Sequence, residues 1–162
     1  MITITLNREA ILYDIGNIAY ITGDLMHSDV KDQSGVQDVN NEGNIDKVTR
    51  ILNKSFNELV YGLTAFTKKD YTEDIVLDDN FSVPGEYVLE LSTSLTFSST
   101  NAKAVMTAAH EYMVDMVLFE WFTITKKDEF ELYKMKADEE LLKMKRYLNS
   151  RTKAVRRPLR PF

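Results

Sequence analysis

The chain has 162 residues, 44% hydrophobic and 28% charged, with no cysteine. That is the composition of one globular domain with a core of its own, and it excludes disulfides, thiolate metal sites and cysteine nucleophiles. The net charge of −5 argues against a protein that coats nucleic acid. The longest apolar-rich stretch, Tyr112 to Phe122, is broken by Asp115 and Glu120 and so does not read as a membrane span. Met1 leads directly into ITITLNREAIL, without a basic segment or a long apolar one, which argues against a secretory signal.

Asn7 is positioned to cap a helix starting at Arg8. Ile11, Ile15, Ile18 and Leu25 fall on one face of it, with Leu12, Ala19 and Met26 beside them. Gly16 and Gly23 weaken this helix, and Gly23 is a candidate for its end. His27 to Gly43 is polar, acidic and rich in Asn, Gln, Ser and Gly, and it reads as a long loop. A second helix begins near Asn44 or Asp46. Ile45, Val48, Leu52, Leu59, Leu63 and Phe66 keep its period, and Lys68 and Lys69 sit where the helix dipole favours cations.

The period changes from Tyr71 to Ser98. Phe81 to Val83 and Tyr87 to Phe97 are rich in β-branched and aromatic residues, and Val83-Pro84-Gly85-Glu86 has the composition of a type II turn. Leu89, Leu91 and Thr93 alternate with Glu90, Ser92 and Ser94. A hairpin or a small antiparallel sheet is expected here. Ser98, Ser99, Thr100 and Asn101 offer N-caps for a third helix that runs to about Phe122. Its second half is apolar around most of its circumference, which suits the centre of a bundle or a subunit interface. Thr123 to Lys127 reads as a short turn. Asp128 can cap a fourth helix whose stripe is Phe130, Tyr133, Ala137, Leu141, Met144 and Leu148. Acidic residues come early in it and Lys143, Lys145, Arg146 and Arg151 come late, as the helix dipole prefers.

The expected fold is therefore mainly α. A four-helix bundle spans 1–152, with a β-hairpin or small antiparallel sheet inserted at about 71–98, and an extended basic C-terminal arm follows at 153–162. In that arm Pro158 and Pro161 forbid helix. Arg151, Lys153, Arg156, Arg157 and Arg160 carry positive charge with no carboxylate among them, and Leu159 and Phe162 are apolar. Such a segment is a frayed end or an arm that folds onto another surface. Arg151, Lys153, Arg156, Arg157, Pro158, Leu159, Arg160, Pro161 and Phe162 are the candidate partner-binding residues. The complementary feature is acidic: Asp70, Glu73, Asp74, Asp78, Asp79, Glu86 and Glu90, with no Lys or Arg between Asp70 and Glu90. Charge separated in this way suits contacts between copies of one chain, or it is simply solvated.

Catalytic signatures are missing. His110-Glu111 begins like a zinc helix motif, but Val114 stands where the second His is required, so His110 reads as a hydrogen-bonded structural residue. The acids from Asp70 to Asp79 lack the spacing and central glycine of a calcium loop. There is no phosphate-cradling glycine loop and no GxSxG elbow. No cofactor or metal is implied, and an enzyme is not expected. The arm could neutralise DNA phosphates in passing, but prolines and a terminal Phe162 suit a protein groove better.

The element order is helix, acidic loop, helix, β-hairpin, long helix with YMVDMVLFEWF, short turn, EFELYKMKADEELLKMKRYL and extended arm. It resembles the head-to-tail connector, or adaptor, proteins of tailed bacteriophages, in particular the small neck or ring proteins of crAss-like phages. The likeness covers most of the chain and rests on this order together with Trp121, Tyr133 and the Arg-rich tail. The acidic 27–43 loop is an addition to the simplest version of the pattern. The resemblance implies a virion protein of the neck or tail region, made in the host cytoplasm. It implies a subunit of a homo-oligomeric ring whose C-terminal arm docks on the portal or a neighbouring neck or tail protein, with no membrane involved. The alternative is a small cytoplasmic α-helical protein-binding or regulatory module. A small metal-dependent hydrolase would need a carboxylate geometry that sequence does not supply.

Overall fold

Ile2, Ile4 and Leu6 alternate with Thr3, Thr5 and Asn7, and in the computed structural model this alternation is a strand, β1 (Ile2–Asn7). The structure describes residues 1–26, 30–67, 78–126 and 130–151. After β1 come α1 (Arg8–Asp24), α2 (Val30–Gln37), a 3-10 turn (Asp38–Asn40), α3 (Ile45–Gly62), β2 (Glu86–Leu91), a second 3-10 turn (Ser99–Asn101), α4 (Ala102–Thr125) and α5 (Phe130–Asn149). The fold is mainly α with one small antiparallel sheet, as the patterning predicts.

That sheet is not a local hairpin. β2 pairs with β1, from Ile2 opposite Leu91 to Asn7 opposite Glu86. The pairing puts Ile4, Leu6, Tyr87, Leu89 and Leu91 on one buried face. Phe81 and Val83, expected to form the first arm of a hairpin, are exposed and outside any strand. The reason is burial: β1 offers an apolar face to match β2, which the short run before Pro84 cannot. The Arg8 backbone N–H continues the ladder by donating to Gly85 O at 3.0 Å. Where β1 passes into α1, Asn7 caps the helix as expected, its Oδ1 accepting from the Ala10 N–H at 3.1 Å.

α1 buries Ile11, Ile15, Ala19 and Gly23, a straight i, i+4 ridge. Leu25, expected on this face, is 72% exposed, because the helix ends at Asp24 and turns it outward. The two glycines do more than weaken α1. A Cβ at Gly16 would lie 2.6 Å from Asn40 Nδ2, and one at Gly23 would lie 2.6 Å from Gln37 Cγ. The missing side chain of Gly23 makes room for α2, and that of Gly16 for Asn40 in the 3-10 turn after it.

α2 lies inside the stretch expected to be a loop, which is a correction. Its Val, Asp, Ser and Gly content has low helix propensity, and tertiary contacts override it. Val36 and Val39 are fully buried. Gln33 Nε2, Gln37 Nε2 and Asn40 Nδ2 donate to the carbonyls of Met26, Tyr20 and Leu12, at 2.7, 3.2 and 2.8 Å. The Trp121 indole N–H donates to Val36 O at 3.0 Å from a buried position.

α4 is the centre of the molecule, and nearly every residue from Tyr112 to Phe122 is buried on it. It runs to Thr125, so most of the expected turn after Phe122 is helical. Asn101 is its N-cap, without a side-chain capping hydrogen bond. α5 carries the predicted stripe, with Tyr133, Ala137, Met144 and Leu148 buried and Phe130 and Leu141 partly so. Asp128 and the Lys68–Lys69 pair lie outside the described residues, as does 71–77 of the expected β insertion.

The sides of α4 fix the layout. His110 and Trp121 are about three turns apart and so share a side. His110 meets Asp14 of α1, and Trp121 meets α2. Phe119 and Phe122 point broadly the other way, onto Phe130 and Tyr133 of α5, with ring centroids 5.9 and 5.1 Å apart. The α1–α2 layer and α5 therefore flank α4 on opposite sides. α3 lies between them, with Lys54 bound to Glu120 at 2.5 Å and Gly62 tight against Leu141.

Candidate functional site

Of the candidate partner-binding residues, Arg151 alone is described; Lys153, Arg156, Arg157, Pro158, Leu159, Arg160, Pro161 and Phe162 lie outside the described residues. Arg151 is exposed, and its backbone forms an isolated antiparallel bridge with Phe97. α5 is complete by Asn149, and its buried stripe ends at Leu148. The arm is thus rooted beside the segment joining β2 to α4, after the core has closed.

Of the acidic stretch, Asp78, Asp79 and Glu86 are exposed and Glu90 is half-buried; Asp70, Glu73 and Asp74 fall outside the described residues. Asp79 and Glu86 border a cleft of about 500 Å³ between α3 and β2. Its floor is held by packing and amides: Tyr87 Oη donates to Asn53 Oδ1 at 2.8 Å, Asn53 Nδ2 to Ser82 O at 2.9 Å, and Arg50 stacks on Phe81 at 5.0 Å. Among the described residues that line it, none pairs a nucleophile with a base.

His110 Nε2 donates to Asp14 Oδ2 at 2.8 Å, which ties α4 to α1. This is the structural role expected of it. Among the described residues no group of His, Cys, Asp and Glu is arranged to hold a metal ion.

Asp115 is a site that composition and motif reading pass over. It lies in the middle of the apolar run of α4 and is only 7% exposed. No hydrogen bond reaches it from any described residue. Burial pushes its carboxyl up to about 6, with Lys136 opposing the rise and Glu111 and Glu140 adding to it. Two lysines of α5 oppose the rise: Lys136, which also sits over the Tyr133 ring at 4.8 Å, and Lys143, which also binds Glu140 at 2.5 Å. A lone Asp within YMVDMVLFEWF was the available signal.

Two apolar surfaces face outward. On α1, Tyr13, Tyr20 and Ile21 are exposed, as is Leu25 just past its end. On α5, Leu132, Met135 and Leu142 are exposed, on the side of the helix away from its core stripe. Glu139 and Arg146 fall in register with them, completing a 3-4-3-4 spacing. Because α1 and α5 flank α4 from opposite sides, these surfaces face in opposite directions. Glu9 and Asp24 lie on the outward side of α1, while the α5 face carries both Glu139 and Arg146.

No family model, curated protein or solved structure matches this chain.

Proposed function

We propose that this chain is a structural subunit of a ring in a tailed-phage head-to-tail connector. Each copy joins the next through opposed faces, and the C-terminal arm, Lys153 to Phe162, fastens the ring to the portal or an adjacent ring. The observation that supports this best is the pair of apolar faces on α1 and α5, one on each side of α4. A single self-complementary patch would favour a closed dimer. Two different patches facing opposite ways favour head-to-tail association, which closes into a ring when the rotation per subunit permits. Tyr13 and Tyr20 match Leu132, Met135 and Leu142 in apolarity, and Arg146 on the α5 face suits Glu9 and Asp24 on the α1 face. Each copy in a ring is held by two neighbours, so individually modest contacts suffice.

The arm supports the same reading. It begins after the core is complete and carries guanidinium groups and apolar anchors suited to charge-assisted docking on protein. Passing contact with DNA phosphates is compatible with it.

Sedimentation velocity of the purified full chain across a concentration series tests the reading. A discrete large oligomer, lost when Met135 and Leu142 are both changed to Glu, is the expected result. A strictly monomeric chain that neither self-associates nor joins a larger assembly would point instead to a small α-helical binding module.

A further inference from the structure

We propose that the outer edge of β1 is a docking site for an extended, uncharged peptide segment of a partner protein, which adds to the sheet as a third strand. The site uses neither outward helix face, so it stands apart from the ring reading above.

The register exposes the edge. The Arg8 N–H donates to Gly85 O, and these two residues continue the register in which Asn7 faces Glu86. In an antiparallel ladder, directly hydrogen-bonded pairs alternate with pairs that are not. The bonded pairs are therefore Leu6 with Tyr87, Ile4 with Leu89 and Ile2 with Leu91. Thr3 and Thr5 turn their N–H and C=O groups away from β2. The sheet has two strands, and no described residue meets these donors and acceptors. Both threonines are exposed. Sheet edges are usually blunted by charge, proline or a bulge. β1, ITITLN, has no charged residue and no proline, and its register runs unbroken from Ile2 to Asn7.

A pocket beside the edge selects the segment. A cavity of about 230 Å³ lies between β1 and α4, lined by Thr5, Leu6, Asn7, Met106, Thr107 and His110. That is room for one aliphatic or aromatic side chain. Met106 is 45% exposed there, and His110 is held in place by Asp14. An added strand sends alternate side chains to opposite faces of the sheet, and those on the α4 side reach this pocket. Backbone bonds then supply affinity, and the pocket selects an apolar side chain. No carboxylate, lysine or arginine lines it, so a charged side chain entering it would lose water without gaining a partner. A second copy does not fill the pocket through its own β1, because Ile4 and Leu6, the side chains on that face, are packed in its own core.

The probe is a short blocked peptide alternating threonine with apolar residues, with a lysine at each end for solubility. Its central apolar residue is alanine, valine, leucine or phenylalanine in turn. Each peptide is titrated into the full chain and followed by NMR. At least one should protect the Thr3 and Thr5 amides from exchange and saturably shift the signals of Met106 and His110. Aspartate at its centre, or N-methylation of its backbone amides, should weaken binding about tenfold. Thr5→Pro removes one outward N–H and no bond to β2, an orientation that edge strands accept. It should weaken binding similarly while the β1–β2 amides stay protected, and so should Met106→Glu at its exposed position. If no peptide protects Thr3 or Thr5, or if the N-methylated peptide binds equally well, the proposal is overturned. If those two amides are protected in the free chain at every dilution, the chain itself covers the edge and the proposal fails. If they become protected only as the chain is concentrated, the occupant is a second copy and the assignment to a peptide is wrong. Each of these failures leaves the ring reading untouched, since that reading is judged by assembly through α1 and α5.

Discussion

Replacing Asp115 with Asn should stabilise the folded subunit at neutral pH and leave it unchanged in acid. Burial raises the Asp115 carboxyl from 3.8 to about 6. The folded state therefore holds this proton more tightly than the unfolded state does. Its contribution to stability is fully present below about pH 3.8 and is lost as pH rises through about 6; above that the cost is constant. At 1.36 kcal/mol per pH unit, the gap corresponds to about 3 kcal/mol. An unpaired amide in the same place has a desolvation cost of its own, so a net gain of about 1–3 kcal/mol is expected at pH 7.5. For a chain of this size that is a rise in melting temperature of roughly 3–10 °C. The assay is thermal unfolding of both proteins from pH 3.5 to 8, at a concentration low enough to suppress assembly, since association adds its own stabilisation. The quantity to follow is the difference between the two, in which every other carboxylate cancels. The reasoning is refuted if that difference is flat with pH, or if the variant is the less stable protein at pH 7.5.

Three further outcomes follow from the packing. Trp121→Ala should cost about 3–5 kcal/mol in denaturant titration, and Trp121→Phe should speed amide exchange within α2 by releasing Val36 O; unchanged exchange there would mean that α2 is held by its amide contacts to α1 alone. Gly23→Ala should cost about 1–3 kcal/mol in chemical unfolding, because the added Cβ meets Gln37 Cγ at 2.6 Å and Gln33 O at 3.1 Å; a neutral effect would show that α2 shifts freely. Met135→Glu with Leu142→Glu should leave the melting temperature within about 1 °C while abolishing self-association, since both side chains are exposed in the subunit; loss of fold would mean that the face belongs to the core.

The main helices were legible in the chain because each carries its own period. The stripes of α3 and α5 and the Asn7 cap read directly as structure, and the apolarity of Tyr112 to Phe122 around most of its circumference placed α4 at the centre. What escaped depended on distant partners. The Ile2, Ile4, Leu6 alternation was visible but short, and the distant β2, not Phe81 to Val83, completes its sheet. α2 has weak propensity and exists because Gly16 and Gly23 clear space for Gln37 and Asn40 and because Trp121 reaches Val36. The charge of the arm was plain from composition. The burial of Asp115 was not, since only the fold shows that its side of α4 is covered by α5. The outward faces were hidden for a related reason: Leu132, Met135 and Leu142 count as core in any composition, and only the buried stripe beside them shows that they face away.

The central claim, that this chain is built to join copies of itself through its outward faces, is tested most directly by imaging the purified protein beside the variant carrying Met135→Glu and Leu142→Glu. The account predicts closed rings of uniform diameter for the unaltered chain. The variant should keep its helix content by circular dichroism and form no ring. Rings that persist undiminished in the variant, or an unaltered chain that stays monomeric at every concentration, would contradict it.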